Sequence, residues 1–231
     1  MPLPRGRILS RRHRQADMPF IVSHILYACR RTPFPLWSPT LHVAAQGPDP
    51  YFYLLTRSAS ETGRAIHRIE PGRWDSLLAD FPPAFHHGFR AHLELDDLLH
   101  PHIRRAVPDG LIHTHLEVTL DDILCRRHLG WSLLEMQLWR NLHTPELEDL
   151  SRRFQAVLAA AGHPGAPSYA TAVRAMSRNL RRLYHRPGFK RGVNHLLRLV
   201  RRNFAFMYPN ERDFSEDQLR PYLDAFTRLM A

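Results

Sequence analysis

The sequence predicts an α+β fold: a small N-terminal three-stranded antiparallel β-sheet followed by a mostly α-helical body of about seven helices. Three observations predict it. Short β-rich runs occur at 20–28 (FIVSHILYA), 40–46 (TLHVAAQ) and 51–56 (YFYLLT). The last two are separated by Gly47-Pro48-Asp49-Pro50, residues that reverse a chain tightly. From Arg73 onward the apolar residues recur at helical spacing.

The elements follow in order. Residues 1–17 read as a disordered basic leader carrying Arg5, Arg7, Arg11, Arg12 and Arg14, with Met18 an alternative start. Residues 18–72 form the sheet domain, to which 66–69 (IHRI) can add a strand, and 73–231 the helical domain. The stretch 30–39 is too proline-rich for a helix and reads as a stiff connection. Helices are expected at 73–79, at 84–107 with a break around Pro101, and from Thr119 to Gly130 or Asn141. Thr144, Pro145 and Gly162 punctuate the next helix. Further helices are expected at 168–186, 192–207 and around Leu219–Met230. Residues 119–141 have the length of a helix-turn-helix, but the second helix is too apolar to read base edges, so a buried hairpin is the better reading.

Composition excludes several classes. The chain has 231 residues and no apolar run long enough for a spanning helix, so a cytoplasmic protein is expected. Cys29 and Cys125 lie far apart without a CxxC, which suggests neither a bridge-dependent scaffold nor a thiolate zinc finger. There is no GxSxG elbow and no phosphate-cradling glycine loop. No catalytic residue is assigned.

Sixteen histidines are many, and several cluster between His86 and His128 among carboxylates. Asp97-x-x-His100 has the spacing of one half of a carboxylate-bridged di-iron bundle, and the second half is missing. His113, His115 and Glu117 would share one face of an extended segment. Surface or capping histidines outweigh a metal site in this reading, so no metal ligand and no cofactor is assigned to the chain.

Charge is the strongest signal. The formal net charge is +10, and Lys190 is the only lysine. Between Arg174 and Arg202 lie nine arginines and Lys190 without an acid. Arg174, Arg178, Arg181 and Arg182 fall on one helical stripe, which Arg198 and Arg201 extend. These six residues are the candidate site for an anionic partner, nucleic acid among them. The sheet offers a second surface: an open edge at Tyr51, Tyr53 and Leu55 could accept a peptide as an added strand.

Three strands at 20–28, 40–46 and 51–56 before about seven helices resemble the architecture of the methanobactin biosynthesis partner-subunit (MbnC) family over residues 18–231. The resemblance implies a non-catalytic subunit that pairs with an iron oxidase as a heterodimer. It would bind a precursor peptide by strand addition and present it for conversion of cysteines to oxazolone–thioamide groups. The iron would belong to the partner. The alternative is a nucleic-acid-binding protein using the arginine surface.

Overall fold

A computed structural model describes residues 21–35, 38–107, 111–136, 140, 142–184 and 209–231. Among these residues there is no β-strand, and the fold is all-α. The expected sheet is replaced element by element. Of the run 20–28, residues 22–28 lie in helix α1 (Val22–Arg31); 40–46 is α2 (Pro39–Ala44) and the turn that follows it, and 51–56 falls mainly in a 3-10 helix (Asp49–Leu54). The helix α3 (Arg57–His67) takes up the first part of the would-be fourth strand.

The physical reason lies in burial. Val22, Ser23, His24, Ile25, Leu26, Tyr27 and Ala28 are all buried, so the first two turns of α1 are enclosed and only its last turn, with Arg30 and Arg31, is exposed. Over these seven buried residues the run is short and mostly apolar, and it matches a buried strand in sequence. Local signals for α2 were present: Ser38 accepts from Leu41 N at 3.4 Å, with Pro39 at the first helical position. The prolines of the Gly47–Pro50 stretch start a 3-10 helix there instead of reversing a hairpin.

The remaining elements are α4 (Pro71–Leu77), α5 (Pro83–Ala106), α6 (Leu111–Leu129), α7 (Leu133–Met136), α8 (Leu147–Ala160), α9 (Tyr169–Tyr184), a 3-10 turn (Glu211–Asp213) and α10 (Glu216–Met230). α5 runs unbroken through Pro101, and α6 begins eight residues before Thr119. Thr119 accepts a hydrogen bond from Asn210 N at 3.1 Å instead of capping a helix. Gly130, at φ 75°, ends α6 before α7, whose Leu133 and Leu134 are buried as a packed hairpin requires. Trp131 is exposed. Gly162 follows α8 with φ 94°, as the punctuation predicts. The helix expected at 192–207 lies outside the described residues.

α5 is the central strut, with α1, α2, α4, α6 and α10 packed against it. The core continues into an aromatic cluster in which Phe154 of α8 meets Trp74, Phe81, Phe85, Phe89 and Tyr169 at centroid distances of 5.0–6.4 Å. Phe154→Ala should therefore cost roughly 3–5 kcal/mol, measured by urea unfolding.

The start of α1 is held by a distant carboxylate. Asp121 on α6 accepts from the backbone N–H groups of Ile21, Val22 and Ser23 at 2.5, 2.9 and 3.0 Å. Burial outweighs these bonds and pushes its carboxyl up from 3.8 to about 6. The folded state thus holds this proton more tightly than the unfolded chain. That contribution to stability is complete below about pH 3.8 and is lost as pH rises through about 6. The stability of the wild type relative to Asp121→Asn, followed by urea melts, should fall across that window. A rise would show that the three N–H bonds dominate.

Candidate metal centre

Helical spacing brings histidines and carboxylates together from five elements. α5 presents His92, Asp96 and His100 at i, i+4 and i+8, and α6 presents His113 and Glu117 at i and i+4. The buried helix α1 supplies His24, the start of the 3-10 helix Asp49, and the end of α3 His67. Close approach here depends on Gly47. It has φ 51°, and a Cβ on it would lie 2.3 Å from His92 Cδ2.

The polar atoms converge. His67 Nε2 lies 3.3 Å from both Asp49 Oδ1 and Asp96 Oδ2, and His92 Nε2 lies 3.2 Å from Asp96 Oδ2 and 3.6 Å from Asp49 Oδ2. The two histidine nitrogens are 3.4 Å apart. Bonds of about 2.1 Å to a central ion imply ligand–ligand edges of roughly 3.0–3.4 Å in octahedral or tetrahedral geometry. His67, His92 and Asp96 fit such a centre, with edges of 3.2–3.4 Å, and His24, Asp49 and His92 gather more loosely, with their ligand atoms within 4.8 Å of one another. Asp96 turns its other oxygen the opposite way, with Oδ1 3.2 Å from His24 Nε2 and 3.4 Å from His100 Nε2. Beyond His100 stands Glu117, whose Oε1 is 3.8 Å from His100 Nε2 and 3.0 Å from His113 Nε2. One carboxylate thus faces two groups of nitrogens.

Backbone carbonyls orient the rings. His92 Nδ1 lies 3.0 Å from Ala45 O, His67 Nδ1 2.8 Å from Gly63 O and His113 Nδ1 3.1 Å from Val107 O. With Nδ1–H donating to each carbonyl, Nε2 turns a lone pair toward the carboxylates, the arrangement typical of metal-ligating histidine. Lone pairs and carboxylate oxygens facing one another in a buried space repel unless a cation lies between them.

Protons supply part of that charge in the chain itself. Burial acts to lower the pKa of His67, but Asp49 and Asp96 outweigh it and raise it from 6.5 to about 10. Burial is likewise outweighed at Asp96, where His100, His92 and His24 hold the carboxyl well below the usual range. His24, buried and stacked on His92 at 4.0 Å, is pushed down to about 4 by burial and then by His92. His24 is therefore neutral at pH 7, with one ring nitrogen protonated and the other carrying an electron pair.

The cluster forms one wall of a cavity of about 560 Å³. Phe52, Ile69, Arg64, Arg68 and Arg104 line the rest of it, along with the acids Glu70 and Asp97. Arg68 and Arg104 are exposed at its mouth.

Sequence reasoning named some of the right residues in the wrong geometry. Asp97 is exposed, and Asp96 pairs with His100 instead. His113 and Glu117 do share a face, through the helical period, but His115 turns away to Asp213 at 2.8 Å. His24, Asp49, His67 and His92 were missed. The signals for two of the helices were the four-residue repeats His92-x₃-Asp96-x₃-His100 and His113-x₃-Glu117. The proposed strand edge has no strand: Tyr51 and Tyr53 are buried in the 3-10 helix, and Leu55, at φ 56°, is exposed just after it. Arg174, Arg178, Arg181 and Arg182 do occupy an exposed stripe on α9, while Arg198 and Arg201 lie outside the described residues.

No family model, no curated protein and no solved structure matches this chain. Among the described residues, no helix is long and apolar enough to cross a membrane.

Proposed function

We propose that this protein is a metal-dependent hydrolase of phosphoesters, with its centre at Asp49, His67, His92 and Asp96 and a cavity that admits a small substrate. The observation that carries the reading is the convergence of Nε2 and carboxylate oxygens at 3.2–3.6 Å, on rings oriented by backbone carbonyls. Mixed imidazole and carboxylate donors suit first-row divalent ions such as zinc, manganese or iron. Such an ion supplies Lewis-acid polarisation and neutralises charge on a phosphoryl group.

The chain's own residues account for the rest. Arg64, Arg68 and Arg104 present planar donors that match non-bridging phosphate oxygens. Phe52 and Ile69 offer apolar wall for the alcohol portion of an ester. In hydrolysis, water forms a new bond to phosphorus, the bond to the alcohol oxygen breaks, and that oxygen leaves with a proton. Asp96 would hold the ion together with His67 and His92 through Oδ2, while its Oδ1 meets His24 and His100 on the other side. The partner-subunit reading drew its peptide site from a strand edge, and the helical fold removes that support.

The test is hydrolysis of p-nitrophenyl phosphate and bis-p-nitrophenyl phosphate, with p-nitrophenyl acetate as the carboxylic ester. Phosphoester turnover should disappear on chelation and return with zinc, manganese or iron. Turnover of the acetate alone, or phosphoester turnover indifferent to chelation, would refute the reading.

A further inference from the structure

From the exposed face of α9, we infer that this protein has a second, sequence-independent binding surface for the phosphodiester backbone of nucleic acid. The surface does not depend on the metal centre. Ala170, Ala172, Val173, Ala175, Met176 and Leu180 bury one side of α9 in the core. The opposite side exposes Arg174, Arg178, Arg181 and Arg182. A rise of 1.5 Å per residue spreads these four guanidinium groups along about 12 Å of helix. Arg174 is paired with Glu148 of α8. The sequence from Arg174 to Arg202 contains no acid at all. Arg178, Arg181 and Arg182 lie together on this face, and a polyanion relieves their mutual repulsion.

Two chemistries could supply the negative charge, and the surface favours one. A membrane-bound helix needs an apolar face to enter the headgroup region. The apolar side of α9 is in the core, and the exposed large hydrophobics of the described residues, Leu55, Leu98, Ile112 and Trp131, all lie on other elements. An extended array of phosphates needs only the arginines. Guanidinium pairs with phosphate oxygens in a bidentate manner and releases counterions as it does so.

The full chain should be titrated into a fluorescein-labelled 20-base-pair DNA duplex and followed by anisotropy. Binding should weaken as salt rises, with a log–log slope of roughly −3, the value expected for three to four neutralised phosphates. Arg178→Glu with Arg182→Glu should weaken binding at least tenfold and flatten the slope. Arg57→Glu with Arg228→Glu changes the net charge equally elsewhere and should cost much less. Helicity by circular dichroism confirms that each variant is folded. Absence of binding at low salt, equal loss in both double variants, or binding to phosphatidylserine vesicles but not to DNA would overturn the inference.

Discussion

Asp96→Asn should lower phosphoester turnover about 1000-fold, a loss of ~4 kcal/mol in transition-state stabilisation, while leaving the fold intact. Asp96 is the carboxylate that every inner histidine meets: His67 and His92 through Oδ2, His24 and His100 through Oδ1. Asparagine has nearly the same shape, but it removes one anionic oxygen and places an NH₂ group where a ligand should be. One side of the centre then loses its donor, whichever way the amide turns. The measurement is kcat/KM at saturating metal, with metal content determined on the same sample. Unchanged turnover in a folded variant would remove Asp96 from the reaction.

Gly47→Ala should have an effect almost as large, although Gly47 carries no side chain to offer the centre. Its φ of 51° already disfavours alanine, and the added methyl would sit 2.3 Å from the His92 ring. His92 cannot simply retreat, because its Nδ1 is committed to Ala45 O and its ring is stacked on His24. On the other side, Tyr169 donates to Gly47 O at 3.0 Å and resists a shift of the loop. Displacing or tilting His92 should weaken metal affinity about 100-fold, the scale seen when a ligand loses its supporting contacts. Competition with a chromophoric chelator measures this directly. Gly130→Ala makes the control: φ is also positive there, at 75°, but nothing lies within 4 Å of the added methyl. It should lose stability without losing metal affinity. Equal metal affinity in Gly47→Ala and the wild type would show that the close approach has no role in shaping the centre.

The helical body was legible where a helix has one wet face. α8, α9 and α10 alternate buried and exposed residues at helical spacing, and Gly162 marks the end of α8. The N-terminal third was misread because the first two turns of α1 are enclosed and the 3-10 helix at Asp49–Leu54 has four aromatic or apolar residues in a row. A short apolar run of this length does not by itself separate helix from strand. The same error hid the centre. His24 looked like an interruption in a strand and Asp49 like a turn residue, while both face the histidines of α5. Only the α5 and α6 ligands had a pattern along the chain, and reading it required the four-residue period instead of the Asp97–His100 spacing. His67 stands alone at the end of α3, and no local feature marks it; its role depends on where α3 meets α5.

The most direct test of the metal centre is the metal content of the full chain, purified without chelator and measured by inductively coupled plasma mass spectrometry. At least one zinc, manganese or iron ion should remain bound per chain, and His92→Ala, folded by circular dichroism, should lose it. A folded chain that retains no divalent metal, even after dialysis against all three, would contradict the account.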